Sequence, residues 1–451
     1  MIQKQETATA KLERDKIGSL LLHYSVPAIV GMVVASLYNI VDSFFVAKIS
    51  EQAMTALSLV FPVQNFINAV AIGFGVGINA QISFQLGAKN IKNANIAATH
   101  GMLFNIIHGI IFTVICIPFM PVFLSMFTKE QEVISSGVQY STIAFAFSTV
   151  IMISLSFEKI FQAVGQMKVS MFSMICGFAT NIILDPLMIF GIGPFPKMGI
   201  SGAAYATGIG QVISLLVYII VYFARPIPVK IERKSLKPDF KLLKRLYGIG
   251  IPATLNMALP SFLISALNGI LAEFSDKYVL VLGVYYKLQT FIYLSANGII
   301  QGIRPLVGYN YGAGEHKRVE KIYRTTLKLT ALIMALGMLL SWIIPSQLIG
   351  LFTTNPETIR IGVLALHIIS FGFIISAVSV TSSGALEGLG MGNPSLMISL
   401  LRYVIVIIPT AFILSRFMGA NGVWMSFAVA EFVTGIISYF IYQKYAKKTI
   451  E

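Results

Sequence analysis

Two aspartates lie inside strongly apolar stretches of the sequence. Asp42 and Asp185 each have a polar residue four positions earlier, Tyr38 and Asn181 respectively. Residues four apart share one face of an α-helix, so each aspartate would lie beside that polar side chain. A carboxylate among apolar groups is costly unless it is protonated, paired or open to water. These residues are therefore candidates for binding a proton or a sodium ion.

An alternative to cation binding is that the two aspartates merely mark helix ends at a membrane surface. Their neighbouring residues help to distinguish the two interpretations. Pro186, directly after Asp185, removes one backbone hydrogen bond and should kink its helix close to the acid. Such a kink could serve a conformational switch, or it could serve packing alone. The residues flanking the aspartates are strongly apolar, unlike those of a helix end among lipid headgroups: Ile40, Val41, Phe44, Phe45, Ile183, Leu184, Leu187 and Ile189.

The elements that must carry these residues are predicted from composition. With 56% hydrophobic residues, 12% charged residues and a mean hydropathy of +0.79, the chain offers more apolar surface than a soluble core could bury. A helix that crosses a bilayer needs about 20 mainly apolar residues. We predict an all-α polytopic membrane protein with twelve transmembrane spans, numbered 1 to 12 along the chain: residues 17–47, 53–84, 94–126, 131–161, 168–191, 199–224, 242–274, 278–309, 319–351, 357–387, 394–415 and 421–443.

An internal repeat divides the chain into two similar halves. Each half holds an even number of spans, so both enter the membrane from the same face, which predicts two parallel six-helix repeats around a central cavity. A shift of 225 residues aligns Pro27-Ala28 with Pro252-Ala253, Gly87-Ala88 with Gly312-Ala313, Phe127-Thr128 with Phe352-Thr353, and Gly165 with Gly390. The predicted organisation is an N-terminal segment (1–16), a first lobe (17–224), a basic linker (225–241), a second lobe (242–443) and a basic tail (444–451).

The predicted spans bring the candidate residues to one depth. Asp42 and Asp185 each lie about five residues, or ~7 Å, before the outer ends of spans 1 and 5. Thr207 lies at a comparable depth on span 6, so these residues could converge with Tyr38 and Asn181. Oxygens of Asp42, Asn181, Asp185 and Thr207 could bind sodium, whereas a proton needs only one carboxylate. Protonation of one acid would relieve the repulsion between two desolvated carboxylates.

The second half of the chain lacks this acid pair. Leu267 and Ile408 occupy the positions that match the two aspartates. Lys287 could line a cavity or extend toward the outer face, and Glu431 could pair with Lys287 or with Arg402. The candidates for lining a cavity in this half are Tyr286, Lys287, Gln289 and Glu431.

The distribution of basic residues predicts the orientation in the membrane. With the spans alternating in direction, one side collects 26 of the 33 lysines and arginines and the other side 6, with Lys287 alone in mid-span. The basic side should be cytoplasmic, which puts both termini inside. The net charge of +14 then needs no nucleic-acid partner. We interpret the basic cluster from Arg225 to Arg245 mainly as a determinant of membrane orientation, although it could also bind anionic lipids.

Three segments carry a family resemblance: Tyr38-Asn-Ile-Val-Asp42 on span 1, Asn181-Ile-Ile-Leu-Asp185-Pro186 on span 5, and Gly308-Tyr-Asn-Tyr-Gly312-Ala313 at the end of span 8. Together with the length, the span count and the repeat, they resemble the multidrug and toxin extrusion (MATE) family, with a DinF-like aspartate site in the first half. The resemblance implies a multi-pass antiporter of the bacterial inner membrane, which exports amphipathic, cationic compounds as protons or sodium ions return. It also implies that the residues matching Tyr38, Asp42, Asn181, Asp185 and Thr207 form the cation site.

The second half departs from the NorM-like branch of that family. That branch carries acids within spans 7 and 10, whereas Glu273 and Glu387 lie at the predicted rims of those spans here. The departure argues against a cation site in the second half.

Two other classes of function are weighed against an exporter. A flippase for lipid-linked oligosaccharide precursors would favour a basic cavity, to which Lys287 and Arg304 could contribute, but such proteins often have more than twelve helices. A membrane-embedded enzyme would need a cluster of histidines, cysteines or acids at one depth, which only the Asp42 and Asp185 pair approaches. We therefore expect a transporter without enzymatic activity or cofactor, acting as a monomer on small organic substrates among membrane lipids.

Overall fold

The computed structural model describes residues 15–237 and 239–447, and all regular secondary structure in these residues is helical. The predicted terminal segments, 1–16 and 444–451, lie largely outside the described residues. The helices of the first half are Ile17–Ala47, Glu51–Gly87, Ile91–Ser125, Gln131–Ala146 with Ser148–Ala163, Met167–Phe190 and Ile200–Ala224 (spans 1 to 6). Those of the second half are Phe240–Ala272, Asp276–Gly312, His316–Ile343, Pro356–Ser370 with Phe373–Gly388, Gly392–Met418 and Ala420–Lys447 (spans 7 to 12).

The helices are long and apolar enough to confirm a multi-pass, all-α membrane protein. In the described part of the chain, ten single helices could each cross a bilayer, and two bent pairs raise the number to twelve if each pair is one span. Spans 2 and 8 are the longest single helices, at 37 residues each. A helix of that length exceeds the thickness of the hydrocarbon core, so it must tilt or extend into the interface.

Spans 4 and 10 are broken, although the sequence predicted each as one continuous helix. The two halves meet at 45° around Phe147 in span 4 and at 55° around Phe371 and Gly372 in span 10. The two breaks match under the 225-residue shift, yet neither contains a proline. In span 4 the Thr113 hydroxyl of span 3 donates to the Phe145 carbonyl at 2.8 Å. A neighbouring span thus satisfies a backbone group near the break, which is how a broken helix is tolerated within a membrane.

Span 11 contains a local irregularity of a different kind. A π-helical turn, Leu401–Ile405, separates its α-helical parts Gly392–Leu400 and Ile407–Met418. A π-turn inserts one extra residue into a helix and changes which side chains face its neighbours. Arg402 lies within this turn and is buried.

The chain divides into two compact units. The first contains Val30–Gly250 and the second contains residues 15–29 and 251–447. The first part of span 1 therefore belongs to the second unit, and the first part of span 7 belongs to the first unit. Each unit has its own apolar core, the first centred on Tyr140, Phe145 and Met152 and the second on Tyr285 and Trp424.

Candidate functional site

Five polar side chains from spans 1, 5 and 6 converge within the first unit, and we call them the acid cluster: Tyr38, Asp42, Asn181, Asp185 and Thr207. The Thr207 hydroxyl is their hub. It lies 3.3 Å from the Tyr38 hydroxyl and accepts a hydrogen bond from Asn181 Nδ2 at 3.2 Å. Asn181 Nδ2 also lies 3.4 Å from Asp185 Oδ1, one turn along the same helix. The helical spacing read from the sequence therefore brings these side chains together.

The two carboxyl groups of the acid cluster contact each other and are withdrawn from solvent. Asp185 is 0% exposed and Asp42 is 7% exposed. Their side chains are within hydrogen-bonding distance of each other, and two carboxylates this close repel each other unless a proton or another cation lies between them. Among residues 15–237 and 239–447, no lysine, arginine or histidine forms an ion pair with either acid. The cluster thus carries acidic groups without a fixed counter-charge.

Close packing of spans 5 and 6 positions Asn181 against Thr207. A Cβ atom at Gly210 would lie 2.6 Å from the Gly177 carbonyl oxygen, and one at Gly177 would lie 2.8 Å from the Gly210 carbonyl oxygen. Glycine at both positions lets the two backbones approach each other, as small residues do between membrane helices. Gly177 lies one turn before Asn181, so this contact sets the distance across the cluster.

Aromatic residues that the sequence did not single out border the acid cluster. Tyr140 of span 4 is buried near Asp42, and its hydroxyl lies 3.5 Å from Gln64 Oε1 of span 2. Phe178 of span 5 stacks on the Tyr38 ring with centroids 4.8 Å apart. Tyr140 precedes the break in span 4 by about two turns, and nothing in its sequence context indicates that it is buried near Asp42.

A small cavity adjoins the acid cluster on the Thr207 side. Its walls come from spans 2, 4 and 6 and include Gln64, Asn68, Ser148 and Thr207. About 10 Å³ is open to the centre of a water molecule, which is room for one water. The Ser148 hydroxyl is buried and makes no hydrogen bond within the described structure, so this cavity offers a water both space and a polar partner.

Comparison with known proteins identifies the family. The family model described as MatE matches the chain twice, over residues 27–187 and 252–413, which together make up well over half of its length. The two matches begin 225 residues apart, the same shift that relates the two halves of the sequence. The chain belongs to the MATE family. The family that the three sequence segments resemble is thereby confirmed.

Several relatives span nearly the whole MATE chain. The multidrug export protein MepA of Staphylococcus aureus strain MRSA252 is 26% identical over 420 residues, covering 93% of this chain and 92% of the relative. MepA of Staphylococcus haemolyticus is also 26% identical, over 95% of this chain and 94% of its own. The solved structure of a MATE protein in the bent conformation superposes with a TM-score of 0.92 at 24% identity, with 98% of each chain covered. A transporter from Pyrococcus furiosus matches at a TM-score of 0.90 and 23% identity, again over 98% of both chains. These similarities show the MATE fold.

The remaining candidates of this MATE protein lie apart from the acid cluster, in the second unit. Lys287 is exposed, and its ammonium nitrogen lies 5.5 Å from the centroid of the Phe352 ring, in the turn after the short helix Pro345–Gly350 that follows span 9. Gln289 Nε2 donates to the Tyr285 hydroxyl at 2.9 Å, and the Tyr286 hydroxyl is buried. Glu431 forms its ion pair with Arg402, at 2.6 Å, rather than with Lys287. Lys287 is therefore not the only basic residue in mid-span, since Arg402 lies about ten residues inside span 11.

Two largely buried ion pairs, near the span ends that the sequence predicts to be cytoplasmic, were not expected from the sequence. Glu387 ends span 10, as predicted, but it is buried and pairs with Arg304 of span 8 at 2.5 Å. In the first unit, Glu158 and Lys159 are both buried and lie 2.6 Å apart. Neighbouring residues of opposite charge near a predicted helix end are typical of a solvated surface, so only tertiary packing reveals that these charges are enclosed. Because its charge is paired, Arg304 lends little support to a basic cavity.

Proposed function

We propose that this MATE protein is an antiporter that exports small amphipathic, mainly cationic organic compounds, and that the acid cluster binds the coupling ion, a proton or a sodium ion. The observation that carries the proposal is the burial of two contacting carboxyl groups for which the described residues offer no basic partner. Relatives named as multidrug export proteins support organic compounds as the substrates.

The need for a bound cation follows from the charge of the acid cluster. Two negative charges about 4 Å apart repel each other by ~4 kcal/mol at an effective dielectric constant of about 20. A proton on one carboxyl group removes this repulsion, and a sodium ion between the two offsets it. The oxygens of Asp42, Asn181, Asp185 and Thr207 supply the several ligands that a sodium ion requires.

Coupling to export then requires that the ion and the substrate favour different conformations. In our scheme the ion enters from outside and binds Asp42 and Asp185. Binding changes the contacts of the acid cluster, and span 1 bends there. Pro186 provides a second point at which the cluster can adjust, because its ring leaves one carbonyl of span 5 without its usual partner. The bent state has lower affinity for the organic cation, which leaves outward.

The decisive experiment is transport of ethidium by the purified protein in liposomes with an imposed pH or sodium gradient. Wild-type protein should move ethidium against its gradient in response to one of the two ions. Asp42→Asn and Asp185→Asn should lower the gradient-driven rate by roughly 5- to 150-fold, the range expected for a lost coupling of about 1 to 3 kcal/mol.

Matched controls for this experiment lie beside the cluster on the same spans. The Thr180 hydroxyl donates a hydrogen bond to the Cys176 carbonyl, and the Asn39 amide donates one to the Ala35 carbonyl. Each of these bonds stays within its own helix. Thr180→Val and Asn39→Ala should keep the wild-type response. If Asp185→Asn still exported ethidium in proportion to the gradient, the acid cluster would not be the coupling site. Flipping of a lipid-linked oligosaccharide without ethidium export would instead identify a flippase.

A further inference from the structure

A second charged cluster lies deep in the second unit, where the proposed mechanism has no use for it. Arg402 lies about 15 Å along span 11 from Gly392, and Glu431 lies a similar distance along span 12 from Ala420. Their side chains are 8% and 12% exposed. Burying a charge pair at mid-membrane depth is costly, so residues of this kind usually have a function.

The Arg402 guanidinium is enclosed on several sides. Its Nε and Nη2 atoms donate to Glu431 Oε1 at 2.8 and 2.6 Å. Nη2 also donates to the Tyr293 hydroxyl at 2.9 Å, and Nη1 lies 3.3 Å from the Tyr403 hydroxyl. The carbon at its centre is 5.4 Å from the Tyr293 ring centroid and 5.2 Å from that of Tyr403. A carboxylate together with aromatic rings is an environment that binds organic cations, and here the cation belongs to the chain itself.

The backbone of two neighbouring spans is adapted to this arrangement. Arg402 lies in the π-turn of span 11, and Glu431 lies against the break of span 10, where a Cβ atom at Gly372 would be 3.1 Å from Glu431 Cγ. The Tyr293 hydroxyl, which accepts from Arg402, donates to Ser376 just after that break, at 2.8 Å. Spans 8, 10, 11 and 12 thus all contribute to holding the guanidinium in place.

The contrast with the acid cluster indicates what the arginine does. The acid cluster has two carboxyl groups and no basic partner within the described residues, whereas Glu431 has a guanidinium that cannot lose its charge near neutral pH. We propose that Arg402 is the built-in cation of the second unit: it permanently occupies the carboxylate and tyrosine cage, so that Glu431 exchanges neither protons nor sodium ions and the coupling ions bind at the acid cluster alone. This inference rests on the function proposed above.

Few other groups around the pair can titrate. In the part of the chain that the structure describes, the ionisable side chains that interact with it are all tyrosines: Tyr285, Tyr286 and Tyr293 on span 8 and Tyr403 on span 11. Tyrosine is uncharged near neutral pH. A change in ion dependence after replacement of Arg402 can therefore be assigned to Glu431.

The test counts bound ions through the ion dependence of thermal stability in detergent, because the slope of stability against the logarithm of ion activity gives the number of ions bound on folding. Arg402→Met should raise this slope for protons or sodium by about one ion relative to wild type. Arg402→Lys, which keeps a positive charge, and the double variant Arg402→Met with Glu431→Gln should both keep the wild-type slope. Low millimolar guanidinium chloride should restore the wild-type slope to Arg402→Ala but not alter the slope of Arg402→Ala with Glu431→Gln.

Two results would overturn the inference: a wild-type slope in Arg402→Met, or a lower slope in the double variant, which would mean that Glu431 already exchanges an ion. If Arg402→Met does not accumulate as folded protein, the double variant, which leaves no uncompensated charge, provides the test by itself.

Asp185→Asn separates this inference from the proposed function. If Asp185→Asn loses the ion dependence of stability, the acid cluster is supported as the ion site, independently of the results for Arg402. If the wild-type protein shows no ion dependence at all, the proposed function is refuted instead.

Discussion

At the scale of single residues, Thr207 connects the acid cluster. Its hydroxyl contacts both Tyr38 and Asn181, which lie on different spans. A hydroxyl in this position orients the amide beside Asp185 and provides an oxygen for a bound ion. The role depends on the oxygen and not on the methyl group, which allows a direct test.

We predict that Thr207→Val weakens the apparent affinity for the coupling ion by about two- to tenfold, since the net contribution of one hydrogen bond is about 0.5 to 1.5 kcal/mol. Valine has nearly the same shape but leaves the Asn181 amide without this acceptor. Ion-dependent ethidium export in liposomes, measured over a range of ion concentrations, gives the affinity. Thr207→Ser keeps the oxygen and should behave as wild type, and equal defects in both variants would show that packing of the methyl group is what counts.

At the scale of elements, the contact between spans 5 and 6 determines whether the cluster assembles. The two helices touch through backbone at Gly177 and Gly210, and a Cβ atom at Gly210 would also lie 3.3 Å from Asn181 Cβ. The same contact therefore stabilises the helix pair and positions a residue of the site.

We predict that Gly210→Ala lowers stability by about 1 to 3 kcal/mol, the usual cost of overpacking, and weakens ion dependence as well, because span 5 must move away from Thr207. Thermal unfolding in detergent with and without the coupling ion measures both effects. Gly248→Ala is the control, since a Cβ atom there would meet nothing within 4 Å and alanine favours the helix. An unchanged melting temperature in Gly210→Ala would show that the helix pair adapts without cost.

At the scale of the whole molecule, orientation follows from the basic residues on the loops. Arg233 lies in the exposed linker between spans 6 and 7, and Lys197 lies in the exposed loop between spans 5 and 6. We propose that the linker and both termini face the cytoplasm of a bacterial cell, because basic loops are retained on that side.

We predict that a cysteine at position 233 reacts with a membrane-impermeant maleimide only after the membrane is permeabilised, whereas one at position 197 reacts in intact spheroplasts. The two native cysteines, Cys116 and Cys176, are replaced by alanine in the parent protein. Each labelling site serves as the control for the other. Reaction at position 233 in intact spheroplasts would mean that the protein is inserted the other way round.

The sequence by itself determined the membrane class, the repeat and the face of each helix that carries the acid cluster. These follow from composition, from matched positions such as Pro27 and Pro252, and from the four-residue spacing of Asn181 and Asp185, which are local properties of the chain. The MATE family model confirms the repeat by matching both halves.

Only the tertiary structure decided which side chains meet across spans. Tyr140 is buried near the acid cluster, Glu431 pairs with Arg402 and not with Lys287, and Glu387 is buried in an ion pair with Arg304, although nothing nearby in sequence distinguishes these residues. The breaks in spans 4 and 10 are likewise invisible in the sequence, since neither contains a proline, and in span 4 the backbone next to the break is satisfied by Thr113 of span 3. The physical reason is common to all of them: the free energy of a buried polar group is set by its partners, and those partners are supplied by packing.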